Sequence, residues 1–575
     1  MPAKPSPAAP PRQRSPTARA ERVAVVQRRI GVIFGCFFVL LVLAAGRTVY
    51  LGVLRGSSLR KAASNEQLTY ETVTAPRGTI TDRNGVDLAV SEPAQDIAAD
   101  PYLITDPLGA ARKLAPLLGA PQSTVLRELS EHTGFVYLAR ALPAKAAQQV
   151  LALKIAGVTG TPVMRRVYPR GGLAAQVLGV VGTEGTGLAG LEYARNALLS
   201  GRSGQRRVVS DALGQPVSIS ETHKEVPGKS LSLTLDANIQ QRAEDVLGAV
   251  ARVFDPKDAT AIVMDPRSGA ILALANWPQV DANDPGASPA EALEDRAVGL
   301  DYEPGSTFKV VAVSGALESR LITPSTPFNI PDQIQVAEKT IHDDTEHPEE
   351  TLTTAQILAR SSNVGAIKIG ALEGPGTFNS WVHRYGFGTH TGVDLPGEEA
   401  GVTLAPDQYS GSSMGNLPIG QGELVTPMQM ATAYAAIANG GILRPPHIVA
   451  SIGGRAQPEP VGHRVISSKT SAELRQMLEG VLGPEGTASQ VSIPGYKLAG
   501  KTGTASKINP ETGEYSQSAF VASFIGFAPA SDPKLLCAVV VNEPQSGSIY
   551  GGAVAAPAFG QIMSFALPYL GISPG

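Results

Sequence analysis

An apolar helical run opens with the residues Pro304-Gly305-Ser306-Thr307-Phe308-Lys309 and continues to Leu317. Residues three apart on a helix lie on the same face, so Lys309 is expected beside Ser306 in the first turn. A serine hydroxyl is a weak nucleophile at neutral pH, and a lysine can accept its proton only while the lysine is uncharged. The stretch therefore predicts a serine nucleophile with a lysine base at its side.

A later motif, Lys501-Thr502-Gly503-Thr504, carries groups that this pair needs. Burial and a second cation both lower the pKa of a lysine, and Lys501 is the candidate for that cation. The motif lies on a predicted strand, whose backbone can bind an extended peptide. Gly503 is expected to leave room for the peptide, with the hydroxyls of Thr502 and Thr504 on either side. This strand is the predicted substrate-binding edge.

A third motif, Ser361-Ser362-Asn363, offers a hydroxyl that can relay a proton and an amide that can hold a substrate carbonyl. The Ser-x-x-Lys pattern alone means little, because it also occurs at Ser58–Lys61 and Ser531–Lys534, which we interpret as solvated juxtamembrane and loop residues. Ser-x-Asn and Lys-Thr-Gly each occur once, after Ser306 and in that order. The ordered set predicts one active site.

The apolar runs around these motifs predict an α+β domain over residues 231–575. Near Ser230 a short strand pattern is followed by Asp236, a helix-capping residue, and by apolar positions on one helical face. Helical patterns recur at Pro427–Ile437 and near the C-terminus at Ala555–Leu567. A five-stranded antiparallel sheet is predicted from the runs Ala259–Met264, Ala270–Ala275, Lys497–Ala505, Ala519–Phe527 and Lys534–Asn542.

Residues 66–230 have a turn-rich, mixed pattern without a catalytic motif. Gln67–Val73 is strand-like and Ala144–Leu153 is helical. The segment 185–190 matches a dinucleotide-binding fingerprint, but no parallel βαβ unit surrounds it, so this interpretation is rejected. We expect a non-catalytic domain over 66–230.

The N-terminus has the pattern of a membrane anchor. Residues 1–29 hold seven basic residues against one acidic, and the six prolines among the first 20 residues argue against a helix in this tail. Residues 30–46 contain no charge, and the apolar character resumes after Arg47 through Leu54, which predicts one transmembrane helix over 30–54. Basic flanks stay inside, so residues 1–29 are expected in the cytoplasm and the rest outside the plasma membrane. The alternative is a cleaved signal peptide, against which the continued apolar run argues.

Length and composition set further limits. The 575 residues predict two to four domains, and a net charge of −3 gives no electrostatic case for a nucleic-acid partner. Cys36 and Cys537 are too few for a disulfide framework, metal cage or redox pair. The crowded residues 342–347 contain two histidines and three acids, and we interpret them as a hydrated loop rather than a metal site.

The ordered motifs resemble those of the class B penicillin-binding proteins, most closely the division-specific peptidoglycan D,D-transpeptidases among them. The resemblance covers nearly everything after residue 30. Beyond the three motifs, it includes the segments Arg77-Gly78, Asp82–Gly85, Arg166–Pro169, Gly187–Glu192, Tyr302–Gly305, Gly420–Gly422, Thr426-Pro427 and Tyr550–Gly552.

The resemblance implies an acyl-serine mechanism without cofactor or metal. Ser306 attacks the carbonyl between the terminal D-alanines of a peptidoglycan stem peptide, Lys309 accepts its proton, and an amine from a neighbouring stem resolves the acyl-enzyme. The backbone N–H groups of Ser306 and Thr504 are implied to form the oxyanion hole. A β-lactam is expected to acylate the same serine and persist there.

Further roles follow from the same resemblance. Ser361 passes the proton to the leaving amine, and Asn363 holds the substrate amide. Lys501, Thr502 and Thr504 meet the terminal carboxylate through charge-assisted hydrogen bonds.

The resemblance also implies an architecture and a set of partners. Residues 66–230 become a pedestal of the dimerisation-domain type, with neither a glycosyltransferase domain nor C-terminal PASTA repeats in the chain. Lipid-linked nascent glycan strands then have to be polymerised by a partner. The expected partners are a multi-spanning glycosyltransferase and bitopic division proteins that meet the helix near Ile30–Leu54.

Three alternatives stay open at this point. An elongation-specific transpeptidase differs in the pedestal and the tail rather than in the active site. A β-lactamase or carboxypeptidase requires fast attack by water, for which Glu373 or Glu398 are the candidate bases. A penicillin-binding sensor or scaffold works through protein contact, and the intact set of motif residues argues against it.

Overall fold

The computed structural model describes residues 16–55, 68–210, 216–509 and 511–574. The chain divides into two compact units. The N-terminal unit comprises residues 1–72 and 204–224, and the main unit comprises residues 73–203 and 225–575.

A long apolar helix, Pro16–Val49, begins the N-terminal unit and continues as a π-helical turn at Tyr50–Leu54. Its segment Val26–Val53 has 28 residues with a mean hydropathy of 2.3, and nearly all of these residues are exposed. About 20 apolar residues are enough to cross the hydrocarbon layer of a bilayer. The predicted apolar N-terminal helix is therefore confirmed.

The helix begins earlier than the sequence predicts. The prolines of residues 1–29 argue against a helix, yet the structure is helical from Pro16 onward. Proline is tolerated at the first position of a helix, because the N–H group that it lacks has no intrahelical partner there. Residues 1–15, with the other five prolines, lie outside the described residues.

The rest of the N-terminal unit contains a small sheet in the order Leu68–Val73, Gly204–Ser210 and Pro216–His223. The Nη2 atom of Arg206 lies 2.7 Å from Oε2 of Glu71, which joins two neighbouring strands across their partly exposed surface. The first strand corresponds to the predicted run Gln67–Val73, of which Gln67 lies outside the described residues.

The main unit is built around a five-stranded antiparallel sheet, which confirms the predicted fold class. Every pair of neighbouring strands is antiparallel. The central strands are almost completely buried and apolar, as expected when both faces of a sheet are covered. The strand order across the sheet is Ile271–Trp277, Pro256–Met264, Leu535–Pro544, Tyr515–Ala528 and Ala499–Ile508.

Three long helices pack against this sheet. Ala237–Phe254 begins at Asp236, whose carboxylate accepts hydrogen bonds from the backbone N–H groups of Asn238 and Ile239, as expected of the predicted cap. The C-terminal helix Gly551–Tyr569 packs by aromatic contact, with the ring centroids of Phe559 and Phe524 4.7 Å apart. Pro427–Ala438 is buried along its whole length and also contacts the sheet.

The remaining α-helices of the main unit are mostly short. They are Pro107–Leu118, Gln122–Leu129, Ala144–Ala152, Ala175–Leu178, Gly190–Ala194, Asn196–Leu199, Arg296–Gly299, Lys309–Glu318, Thr354–Arg360, Asn363–Glu373, Pro375–Arg384, Ser413–Asn416 and Ser468–Glu479. Single 3₁₀ turns lie at Pro101–Leu103, Pro285–Ala287, Ala290–Leu293, Gly305–Phe308, Pro406–Gln408, Leu417–Ile419 and Gly480–Leu482.

A second sheet joins segments that are far apart in the sequence. Leu231–Leu233 lies near its middle, parallel to Ile80–Thr81 on one side and antiparallel to Val449–Ile452 on the other. The predicted domain boundary at residue 231 therefore falls inside a shared sheet, and it stays a prediction. The strand order is Arg455–Ala456, Val449–Ile452, Leu231–Leu233, Ile80–Thr81, Asp87–Ala99 and Val136–Pro143, with Val158–Val167 also pairing with Asp87–Ala99.

Two-stranded sheets complete the main unit. They pair Pro327–Ile330 with Glu350–Thr353, Gln333–Val336 with Lys339–His342, and Ile442–Leu443 with His463–Arg464. The second of these hairpins ends at residues 342–347, which the sequence predicts to be a hydrated loop.

Buried charge ties the first part of the main unit together. Glu192 is fully buried and accepts hydrogen bonds from Nε of Arg77 and, at 2.6 Å, from Nε of Arg166. A buried carboxylate is stable only with such partners, because its desolvation is costly. These residues lie in the segments on which the family resemblance depends, and their role in this structure is to hold the fold.

The Asp82–Gly85 segment links the second sheet to the helix Ala237–Phe254. Oδ2 of Asp82 accepts a hydrogen bond from the N–H of Ala237 at 3.1 Å. Nδ2 of Asn84 donates to Oδ2 of Asp236 at 3.0 Å. The first turn of helix Ala237–Phe254 is thus capped both locally and from a segment about 150 residues earlier, which fixes its position relative to the second sheet.

Candidate active site

The Ser306 turn sits where a 3₁₀ turn, Gly305–Phe308, passes into the α-helix Lys309–Glu318. The sequence predicts one continuous helix. The tighter turn also places Lys309 on the same side as Ser306, because side chains three residues apart are eclipsed in a 3₁₀ helix. The N–H of Gly305 donates to the carbonyl of Gly420 at 3.0 Å, and a Cβ atom on Gly420 would lie 2.2 Å from the carbonyl oxygen of Gly305. This close approach requires glycine at position 420.

Lys309 is buried, with 1% of its surface exposed. Its Nζ donates to the backbone carbonyl of Ser361 and, at 2.6 Å, to Oδ1 of Asn363. Burial lowers the pKa of Lys309 to about 8, while the carboxylates of Asp344 and Asp343 oppose that effect. A substantial neutral fraction near physiological pH is what a general base needs.

Ser361 occupies a left-handed backbone conformation, with φ +63°, at the C-terminal end of helix Thr354–Arg360. Few residues other than glycine adopt this conformation, and those that do are enriched at functional sites. Oγ of Ser361 accepts hydrogen bonds from Nζ of Lys501 at 2.8 Å and from Nζ of Lys309 at 3.3 Å. With both lysines directed at its oxygen, the hydroxyl can give its own hydrogen to a third group.

Lys501 has no exposed surface. Its Nζ also donates to the carbonyl of Thr502 at 3.1 Å. Burial lowers the pKa of Lys501 well below its ordinary value, and the positive charge of Lys309 lowers it further. Two ammonium groups that share one hydroxyl repel each other, so the pair favours carrying fewer than two positive charges.

Lys501, Thr502 and Thr504 lie on Ala499–Ile508, which is the edge strand of the five-stranded sheet. Thr504 lines the cleft, and its Oγ1 accepts a hydrogen bond from the N–H of Gly551 at 3.0 Å. Thr502 is buried instead, with its Oγ1 2.6 Å from Oγ1 of Thr487. Of these two threonines, Thr504 is therefore the one that lines the cleft.

Gly503 is closely packed against neighbouring residues. A Cβ atom at this position would lie 2.3 Å from Oγ of Ser523 and 3.1 Å from the carbonyl oxygen of Pro304. The glycine therefore allows the edge strand to pack closely against the turn that carries Ser306. The predicted role of Gly503 in leaving room for a peptide stays a prediction.

The carboxamide of Asn363 is fully engaged within the protein. Its Nδ2 donates to the carbonyl of His342 at 2.9 Å and to Oδ1 of Asp344 at 3.2 Å, and its Oδ1 accepts from Lys309. An amide group has two N–H donors, so both are used. Asn363 can hold a substrate carbonyl only after one of these two hydrogen bonds is exchanged.

Residues 342–347 form a mostly exposed loop, as predicted, and this loop also contributes Asp343 and Asp344 to the site. Oδ2 of Asp343 accepts from the hydroxyl of Ser362 at 2.7 Å, and its Oδ1 accepts from the N–H of Val364 at 2.9 Å. Asp343 thereby fixes the start of helix Asn363–Glu373. In the described part of the chain, no group of three or more His, Cys, Asp or Glu side chains is arranged to hold a metal ion.

A cleft of about 280 Å³ lies above these residues. Ser306, Asn363 and Thr504 line it, while Lys309, Ser361 and Lys501 are buried. The sequence did not assign a role to several other lining residues. These are Asp344, Ile419, Gln421, Ser506, Phe520, Ile549 and Tyr550. Gln421 and Tyr550 belong to segments of the family resemblance, and this was the only signal for them in the sequence.

Neither candidate for a water-activating glutamate lines the cleft. Glu373 is buried close to Gly315, and burial raises its pKa to about 8. Glu398 accepts hydrogen bonds from the backbone N–H groups of Thr391 and Gly392. Among the described residues that line the cleft, Asp344 is the one carboxylate, and Asn363 binds it.

Comparison with known families matches most of the chain. The model of the penicillin binding protein transpeptidase domain matches residues 259–564. The model of the penicillin-binding protein dimerisation domain matches residues 72–233. The first match contains all three sequence motifs.

Curated relatives match over nearly the full length. The penicillin-binding protein PbpB of Mycobacterium tuberculosis is 35% identical over 559 residues, which cover 91% of this chain and 82% of the relative. The peptidoglycan D,D-transpeptidase FtsI of Escherichia coli is 32% identical over 568 residues, which cover 97% of this chain and 95% of the relative.

Solved structures are similar in fold over most of this chain. The crystal structure of penicillin binding protein 3 from Mycobacterium tuberculosis, complexed with aztreonam, has a TM-score of 0.69 at 30% identity and covers 88% of this chain and 98% of that one. A peptidoglycan synthetase from Bifidobacterium adolescentis has a TM-score of 0.70 at 28% identity, with the same coverage.

Proposed function

This chain belongs to the class B penicillin-binding proteins, and we propose that its Ser306, Lys309, Ser361, Asn363 and Lys501 carry out the peptidoglycan D,D-transpeptidase reaction. The enzyme cross-links stem peptides through an acyl-serine intermediate during septal cell-wall synthesis and is acylated by β-lactams. The observation that carries the residue assignment is the Ser361 hydroxyl, held between two buried lysines beneath a cleft lined by Ser306.

The first half of the reaction transfers the donor peptide to the enzyme. Oγ of Ser306 attacks the carbonyl carbon between the two terminal D-alanines while neutral Lys309 takes the hydroxyl proton. The C–N bond breaks, and D-alanine leaves with a proton that Lys309 returns through the hydroxyl of Ser361. An ester between Ser306 and the penultimate D-alanine remains.

The donor peptide is proposed to lie along the edge strand Ala499–Ile508, with Thr504 at its carboxylate. A free strand edge binds an extended peptide through backbone hydrogen bonds, and among the described strands none pairs with this edge. The positive charge of the buried lysine pair below the cleft favours a terminal carboxylate. The backbone N–H groups of Ser306 and Thr504 supply the oxyanion hole in this proposal, where one donor is worth about 2.7–4 kcal/mol.

The rate of acylation is expected to rise with pH and to level off near pH 8. Burial lowers the pKa of Lys309 to about 8. Below that pH, the fraction of Lys309 that is neutral falls about tenfold for each pH unit. The measurement is the rate constant for acylation by a fluorescent penicillin, followed from about pH 6 to about pH 9.5.

The Lys534→Met variant, which alters a second Ser-x-x-Lys motif, is the matched control and keeps the same profile. A flat profile, or one that rises only near the ordinary pKa of lysine, would show that Lys309 is not the base.

The chain is proposed to cross the plasma membrane once, with its N-terminus in the cytoplasm. The apolar helix is long enough to span a bilayer, and Arg28 and Arg29 precede its charge-free stretch. Protease added outside spheroplasts is expected to digest the main unit and to leave an epitope placed before Pro16 intact. Digestion of that epitope in intact spheroplasts would show that the N-terminus lies outside the membrane and would contradict the proposed orientation.

The substrates are proposed to be stem peptides on nascent, lipid-linked glycan strands, since the two matched domain families are a transpeptidase and a dimerisation domain. A multi-spanning glycosyltransferase and bitopic division proteins are the proposed partners. Exposed apolar side chains on the membrane helix, such as Phe34, Phe37 and Phe38, support a contact surface within the bilayer.

A further inference from the structure

Asp344 is the single charged side chain among the described residues that line the active-site cleft. The other side chains that line the cleft are uncharged. The two lysines of the site, Lys309 and Lys501, are buried. The cleft thus combines buried positive charge with one exposed carboxylate at its surface. In the proposed first half of the reaction that carboxylate opposes the lowering of the pKa of Lys309, but it neither takes a proton nor binds the donor.

The position of Asp344 is fixed by its neighbours. Its Oδ1 accepts a hydrogen bond from Nδ2 of Asn363 at 3.2 Å, and the adjacent Asp343 is anchored by Ser362 and Val364. The residue is exposed and lines the cleft, and its Oδ2 has no hydrogen-bond partner among the described contacts. A carboxylate held in this way can accept further hydrogen bonds without rearrangement of the backbone.

Transpeptidation brings together two peptides of opposite charge at their reacting ends. The donor ends in a carboxylate, which an aspartate repels. The acceptor brings a primary amine, which is an ammonium ion at neutral pH because alkyl amines have pKa values of about 10. A carboxylate at position 344 therefore favours the acceptor ammonium over the donor carboxylate, as the second half of the reaction requires.

We propose that Asp344 is the binding group for the ammonium of the acceptor peptide, an inference that rests on the proposed function. The ammonium docks at Asp344 beside Asn363, close to the ester on Ser306. The ligand class is a primary alkylammonium, and it can come from a plain amine or from a zwitterionic amino acid. Charge-assisted hydrogen bonds of this kind are stronger than neutral ones.

The chemical step balances without a co-reactant. The docked ammonium first loses one proton to water, and the neutral amine attacks the ester carbonyl. Lys309 takes a second proton from the attacking nitrogen and gives it to Oγ of Ser306 as the ester C–O bond breaks. A C–N amide bond has formed, and no group is oxidised or reduced.

The test compares decay of the acyl-enzyme in the full-length chain and in Asp344→Asn. A thioester analogue of the donor, N-benzoyl-D-alanyl-thioglycolate, forms the acyl-enzyme, and mass spectrometry follows its loss with and without Nα-acetyl-lysine amide. The readout is the acceptor-dependent decay divided by the decay in water alone, a ratio in which any change in acylation cancels. Asparagine preserves the oxygen that binds Asn363, so the ratio should fall about tenfold through loss of the charge.

Asp407→Asn, an exposed aspartate outside the cleft, is the charge-matched control and should leave the ratio unchanged. D-alanine as the acceptor separates the two sources: a fall with both acceptors means that any ammonium is bound, and a fall with the lysine amide alone means that a neighbouring carboxylate is rejected. An unchanged ratio in Asp344→Asn overturns the inference. An acyl group found on Ser306→Ala would instead overturn the proposed function.

Discussion

Replacing Ser306 by alanine is expected to abolish covalent labelling by a fluorescent penicillin. Other hydroxyls line the cleft, including Thr504, Ser506 and Tyr550, but only Ser306 among the described cleft-lining residues lies one helical turn before a buried lysine, Lys309. A hydroxyl without an adjacent base is too weak a nucleophile to replace Ser306. The measurement is fluorescence of the purified chain after denaturing electrophoresis.

Ser531→Ala is the matched control, because Ser531 begins another Ser-x-x-Lys sequence and should label normally. Ser306 is only partly buried, so the alanine variant is expected to keep its Tm within a few degrees. In cells that depend on the variant, loss of septal cross-linking predicts filaments, whereas swollen round cells would indicate elongation. Labelling of Ser306→Ala would refute the assignment of the nucleophile.

Replacing Lys309 by methionine is expected to slow acylation by about a thousandfold, since a positioned general base contributes roughly 10²–10⁴. Methionine fills most of the same buried space and removes a charge that is costly to bury. The nucleophile and the cleft remain, so slow labelling of Ser306 should persist. The measurement is the second-order rate constant of acylation near pH 8, about the pKa of Lys309.

Lys534→Met provides the control here as well, because Lys534 is partly exposed and pairs with Asp532 at the surface. Its rate should match that of the unmodified chain. Thermal unfolding separates a chemical effect from misfolding, since a Lys309→Met chain that unfolds cooperatively near the normal Tm has kept its core. A loss smaller than about tenfold in such a chain would assign proton transfer to Lys501 instead.

Local pattern was enough to predict much of the fold. The five strands of the central sheet appear near the predicted positions, because four of them contain apolar runs and the fifth, Ala499–Ile508, contains the Lys-Thr-Gly motif predicted on a strand. The helix after Asp236 was predictable because the cap and the apolar face are both local features. The helical start at Pro16 was missed because counting prolines ignored the one position where a helix accepts them.

The residues that we propose to carry the chemistry can be named from the chain alone, because Ser-x-x-Lys, Ser-x-Asn and Lys-Thr-Gly occur in a fixed order that resembles the family pattern. How these groups share their protons depends on the folded core. Ser361 meets Lys309 and Lys501 across 52 and 140 residues of chain, in a backbone conformation that no local pattern predicts. Asp343 and Asp344 enter the site for the same reason, and so does the close packing of Gly503 against the turn that carries Ser306. Hydrogen bonds between distant segments form only when the whole core is packed, so their partners cannot be read from any one stretch.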